Sequence, residues 1–161
     1  TGGFNTTLSY RNFDLFISLH GSYGNKLFNT LRARFEKTST SYNSLKSVVN
    51  RWTEDNPSNT IPKASNSTSI VSDDRYVEDA SFLKVRNVTL GYNLPLKHIT
   101  PDAKLRLFVS LQNFFTLTKY SGYDPESNRN GVDESSGLYQ GVDFGTYPSA
   151  KTVQFGVNLT L

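Results

Sequence analysis

Residues 153–161 read VQFGVNLTL. The odd positions, Val153, Phe155, Val157, Leu159 and Leu161, are apolar, while Gln154, Gly156, Asn158 and Thr160 between them are small or polar. A period of two is the mark of a β-strand with one face in an apolar medium and the other in a polar one. No charge interrupts the nine residues.

The same alternation recurs upstream. Leu105, Leu107, Val109, Leu111, Phe115 and Leu117 share a face, broken only by Asn113, with Arg106, Ser110, Gln112, Thr116 and Thr118 opposite. Phe108 and Phe114 interrupt the polar side. Phe13, Leu15, Ile17 and Leu19 alternate with Asp14, Ser18 and His20, and Phe4, Leu8 and Tyr10 form a shorter set. In a fifth stretch Val88, Leu90, Tyr92 and Leu94 lie out of phase with Leu83 and Val85, which predicts a bulge near Asn87. The pattern therefore predicts strands near 3–10, 13–24, 81–94, 104–118 and 150–161. Runs of about ten residues exceed the usual strand of about 5–6 and suit a tilted bilayer crossing.

Short and long connections alternate. Arg11-Asn12 and residues 95–103 are short, whereas 25–80 and 119–149 are long, as in an up-and-down barrel with tight turns at one end and large loops at the other. Tyr10, Phe13 and Tyr92 fall near the tight-turn end, and Tyr23, Phe82 and Phe115 near the loop end, approximating two aromatic girdles. Within 25–80, Leu45, Val48, Val49 and Trp52 follow helical spacing after Ser41 or Asn43, predicting one short amphipathic helix in a loop. Five strands cannot close a barrel, so the chain should be completed by further strands, in the same chain or another.

Composition narrows the function. The chain has 161 residues, 36% hydrophobic, 13% aromatic and 19% charged, with a formal charge of +3. The basic residues are scattered, which argues against nucleic acid. There is no cysteine, and the only histidines are His20 and His98, so thiol chemistry is absent and neither a metal site nor another cofactor is indicated. The chain opens at Thr1 without an apolar signal segment, which reads as a processed product, a cut fragment or a piece of a longer polypeptide. Asp124, Glu126, Asp133, Glu134 and Asp143 gather in the second long segment. They read first as solvated loop charge, ahead of a calcium site, and last as catalytic acids, since no positioned base accompanies them. Trp52, Tyr120, Tyr123 and Tyr147 are the candidate ligand contacts, because an aromatic face stacks on a sugar ring while its polar tip forms hydrogen bonds; packing between loop and wall is the competing use. A soluble carbohydrate-binding β-sandwich shows the same alternation and stays open on this reading, with a glycosidase domain third.

Specific strings then carry a resemblance. RWTEDNPSNTIPKA (51–64), DRYVEDASFLKVRNVTLGYNLP (74–95), LRLFVSLQNFFTLTKYSGYDPE (105–126) and GVDFGTYPSAKTVQFGVNLTL (141–161) resemble, in order and spacing, the C-terminal end of SusC/RagA-type TonB-linked outer-membrane transporters. GGFNTTLSYRNFDLFISLHGSYGNKLFN (2–29) is similar to the preceding hairpin of that family. The resemblance implies an all-β, antiparallel transmembrane barrel of about 22 strands around a plug, with residues 1–161 supplying the last five strands. It implies import of glycans or peptides across the bacterial outer membrane and a SusD-like surface lipoprotein as partner. TonB would be engaged only through an N-terminal part that this sequence lacks. It implies no enzyme activity. His20, Arg106, Gln112 and Gln154 would face the lumen and plug, and the opposite face would meet lipid. Family members commonly end in an aromatic residue; Leu161 departs from that.

Overall fold

The structure, a computed structural model, describes residues 1–37, 43–65, 73–95, 103–127 and 141–160. In chain order the strands are β1 (Gly2–Tyr10), β2 (Phe13–Ser22), β3 (Lys26–Asn29), β4 (Val77–Asp79), β5 (Phe82–Leu94), β6 (Lys104–Thr118), β7 (Val142–Asp143) and β8 (Thr152–Thr160). One α-helix, α1 (Thr30–Phe35), follows β3, and 3-10 turns occupy Lys46–Asn50 and Asp74–Tyr76. Two compact units form: Thr1–Asn25, Ser81–Lys119 and Ser149–Leu161 make one, Lys26–Ala80 and Tyr120–Pro148 the other.

The first unit is a single antiparallel sheet in the order β1-β2-β5-β6-β8. Each strand pairs with the next of the five along the chain, the meander that alternating short and long connections require. Arg11, in the two-residue turn after β1, takes a left-handed φ of 53°. Strand β2 stops at Ser22, short of the sequence expectation, because Gly24 turns the chain with φ 79° and donates its N–H to Ser81 Oγ at 2.9 Å.

Register sorts the side chains as the alternation demands. Leu8, Leu15, Leu90, Val109 and Phe155 follow one another across all five strands on one face. The phase break in β5 is a bulge at Arg86, where register shifts between Val85 and Asn87 against both neighbours. On β6 the matching irregularity is Asn113, with φ 56° and its side-chain amide donating to Ala150 O at 3.2 Å. Asn tolerates this conformation better than most residues, which explains a polar side chain on the otherwise apolar face.

Among the described residues no second layer covers that apolar face. Phe155 is 82% exposed, Leu117 69% and Phe4 60%, so the described residues do not pack on this face as the second sheet of a sandwich would. Tyr10 pairs with Phe13 and Phe13 with Tyr92, placing three aromatics in one row, with the Phe13 and Tyr92 rings 4.7 Å apart. At the other end Phe115 is exposed on the same face, but Phe82 corrects the girdle reading. It pairs with Ser22 and Thr118 on the polar face and is buried, its ring 5.6 Å from that of His20. The bulge at Arg86 causes the difference, since it reverses the parity of everything before it. No helix among the described residues is long and apolar enough to cross a membrane.

The second unit holds a small sheet, β4-β3-β7, that period-two reading did not find. Its strands of two to four residues are too short to show a period. The helix expected around 45–52 is instead the five-residue 3-10 turn, with Val48 buried but Val49 71% and Leu45 43% exposed. The true helix is α1, whose Asn29 side chain accepts the Arg32 N–H at 2.9 Å as N-cap. Ser41, Asp133, Glu134, His98 and Leu161, all used in the sequence reading, lie outside the described residues.

Candidate functional site

The polar face of the large sheet carries a continuous hydrogen-bonding surface. Register puts Asp14, Gly91, Phe108 and Gly156 in one row across β2, β5, β6 and β8. Arg106, from the neighbouring row, reaches over Gly91 to Asp14: Nε donates to Oδ1 at 3.0 Å and Nη2 to Oδ2. A Cβ on Gly91 would lie 2.5–2.6 Å from the guanidinium and the carboxylate, so the ion pair exists because residue 91 has no side chain. Gly156 has the same role for Phe108, whose ring would meet a Cβ there at 2.2 Å. An aromatic side chain on the polar face, anomalous in the sequence, thus fills the space above a glycine, with the Arg106 guanidinium 5.3 Å from its ring centroid.

One row on, Ser110 donates to Asn87 Oδ1 at 2.7 Å and Thr89 to Ser110 Oγ at 3.0 Å; Gln112 and Gln154 bond at 3.2 Å. His20, Arg106, Gln112 and Gln154 accordingly share this face. Arg106 has its acidic partner, Asp14, within the sheet, two strands away.

The second unit is organised by two carboxylates. Glu78 on β4 accepts from Ser121 N–H (2.9 Å) and Ser121 Oγ (2.8 Å), from Arg32 Nη1 (3.0 Å) and from Asn29 Nδ2 (3.3 Å). Partial burial pushes its pKa up, but the bonds from Ser121 and Arg32 outweigh that and hold the carboxyl below the usual range. Arg32 is shared with Glu36, to which its Nε donates at 3.1 Å. Asp143 on β7 is 1% exposed and accepts from Tyr120 Oη at 2.7 Å, Gly145 N–H at 2.8 Å and Thr146 N–H at 3.3 Å. Burial, and then the bond to this carboxylate, push the Tyr120 hydroxyl strongly upward.

These contacts sort the candidate ligand residues. Tyr120 packs with Leu27 and Ala80 in the core, so its face is closed to a ligand. Trp52 lies in an irregular segment with Lys63 Nζ 5.5 Å above its ring. Tyr123 is 67% and Tyr147 92% exposed. Tyr123 borders a cleft of about 390 Å³, together with Leu31, Arg32, Phe35, Leu45 and Ser121. Asp143, expected as loop charge, is a buried structural acceptor, and Asp124 Oδ1 accepts the Glu126 N–H at 3.0 Å.

The sequence reading passed over Asn29, Arg32 and Ser121, and read Glu78 as loop charge. The signal for α1 was present, an Asn before Leu31 and Phe35 at i, i+4 spacing. Nothing local marks Glu78 as the partner of residues 46 and 43 positions away.

No protein-family profile matches the chain. Individual proteins do. Over 163 residues it is 37% identical to the TonB-dependent receptor P3 of Formosa agariphila, covering 99% of this chain and 16% of that protein. Over 165 residues it is 29% identical to the TonB-dependent receptor SusC of Bacteroides thetaiotaomicron, covering 98% and 14%. The structure of the RagAB peptide importer in its open-open state aligns with a TM-score of 0.80 at 28% identity, over 99% of this chain and 17% of that one. The chain spans about one-sixth of the length of the relatives it matches. It is accordingly homologous, over nearly its whole length, to one stretch of the TonB-dependent receptors of the SusC/RagA type, which are proteins of the bacterial outer membrane.

Proposed function

We propose that this chain is wall and loop of an outer-membrane importer of glycans or peptides, powered through TonB by a part of the protein outside this sequence. In this reading the five long strands are the last of a closed barrel of about 22. Segments 25–80 and 119–149 are extracellular loops that shape the substrate cavity beneath a SusD-like surface lipoprotein. The polar face, with His20, Arg106, Gln112 and Gln154, lines the lumen against the plug, and the apolar face meets lipid. Trp52, Tyr123 and Tyr147 remain the loop aromatics available to substrate. The role is transport, not catalysis.

The observation that carries the reading is the uncovered apolar face. Water leaves a surface of that extent uncovered only at a cost, while hydrocarbon wets it freely. The test compares two neighbouring residues of β8 in the complete receptor. Val157→Arg, 64% exposed on the apolar face, should cut the folded protein in outer membranes sharply, since an arginine at mid-bilayer costs about 2–4 kcal/mol. Gln154→Arg on the opposite face should assemble almost normally. Equal damage from both would remove the lipid assignment, and a soluble β-sandwich would become the better reading.

A further inference from the structure

We infer that Phe108 and Gly156 act together as a selector that sets the register of the terminal strand β8 against β6. Every other pair in the large sheet has its own means of alignment. A two-residue turn at Arg11-Asn12 joins β1 to β2, and β5 meets both of its neighbours across the register shift at its bulge. The β6–β8 pair runs evenly from Lys104 with Thr160 to Gln112 with Thr152, and residues 119–151, which connect the two strands, are too many to align them by a turn. The apolar face cannot decide either. Val153, Phe155, Val157 and Leu159 stand opposite Leu111, Val109, Leu107 and Leu105, so a slide of two residues still sets apolar against apolar.

The polar face does discriminate. Its residues on β8 are Thr152, Gln154, Gly156, Asn158 and Thr160, and of these Gly156 alone lacks a side chain. The Phe108 ring lies over that gap and would overlap a Cβ placed there. After a two-residue slide, Gln154 or Asn158 would come beneath the ring. Retreat toward β5 is closed, because the Arg106 guanidinium stands 5.3 Å from the ring centroid and is itself bound to Asp14 above Gly91. The other side-chain contacts of the pair are weaker guides. Gln112 with Gln154 and Asn113 with Ala150 O, each at 3.2 Å, are amide hydrogen bonds, and a flexible amide finds a new partner after a slide. The outer edge of β8 is unpaired among the described residues, and a two-residue slide would move it by about 7 Å along the strand. The selector therefore also decides where a further strand would pair.

The experiment uses the complete receptor recovered from outer membranes. Residues 1–161 hold no cysteine, so paired cysteines report the register once any elsewhere in the receptor are replaced by serine. Leu107→Cys with Val157→Cys should cross-link, and Leu107→Cys with Phe155→Cys or with Leu159→Cys should not. Moving the glycine, by Gln154→Gly together with Gly156→Gln, should shift the preference to the 107–155 pair by about tenfold. Gly156→Ala should lower the assembled receptor by about fivefold, although alanine otherwise suits a strand better than glycine, and adding Phe108→Ala should restore it. If the moved-glycine variant does not assemble, Phe108→Ala alone decides: its 107–155 or 107–159 pair should cross-link beside 107–157. A bond that stays at 107–157 in the moved-glycine variant, normal assembly of Gly156→Ala, a loss that Phe108→Ala does not relieve, or the 107–157 bond alone in Phe108→Ala would each overturn the inference.

Discussion

The large sheet and the inserted unit solve the problem of order in opposite ways. The sheet uses long strands, up to the 15 residues of β6, so that backbone ladders repeat and side chains need only alternate. The inserted unit has strands of two to four residues and is held instead by Glu78 and Asp143, each collecting donors from segments distant in sequence. One region leaves its apolar side chains bare and buries little; the other buries charge and satisfies it. In the importer reading a bilayer would supply the apolar surroundings that the first lacks, while the second must supply its own.

The sharpest way to break that comparison is Asp143→Ala. It strands the Tyr120 hydroxyl and the N–H groups of Gly145 and Thr146 in the interior, at a cost of about 3 kcal/mol. Limited proteolysis of the complete receptor should then cut within 120–148 while the heat-resistance of the large sheet is unchanged. Simultaneous loss of both would mean the two regions are not separately ordered. A smaller effect is expected in the sheet. A double-mutant cycle on Arg106→Ala and Asp14→Ala should give a coupling of about 1 kcal/mol in unfolding of the complete receptor, because the pair is bidentate yet partly solvated, at 29% and 20% side-chain exposure. Zero coupling would demote the bridge to a bystander of Gly91.

The smallest effect is a pH dependence confined to the inserted unit. The pKa of Glu78 is lowered by folding, so its contribution is complete above the unfolded value near 4.5. It is lost as pH falls below that value and through the folded pKa. Protease sensitivity of the loops should therefore rise on acidification in that window, and Glu78→Gln should abolish the dependence. A dependence that survives in Glu78→Gln would locate the switch elsewhere.

The same contrast decides what could be read from the sequence. Where a period of two operates, five strands and the phase break in β5 were legible, because alternation is written residue by residue. Phe82 was misplaced onto the apolar face, since the bulge that relocates it also inverts the parity from which its direction was judged. Phe108 looked like an error in the pattern until Gly156, 48 positions later, was found beneath it. In the loops no period exists. Tyr120 and Tyr123 are near neighbours of one residue type, yet one packs on Leu27 and Ala80 and donates to Asp143 while the other is in solvent. Helical spacing at 45–52 misled because four residues at the right intervals do not make a helix when Val48 alone among them is buried.

The bulge at Arg86 gives the strand slack. Without residue 86, Asn87, Val85, Lys84 and Leu83 would alternate regularly and keep their present sides. Loss of a single residue there leaves the apolar and polar faces as they are, whereas loss of one from the evenly paired stretch between Val88 and Tyr92 exchanges the two faces for every side chain on one side of the gap, unless the spare residue slides in to take up the difference. A change of one residue in length is absorbed at the bulge without turning either face over.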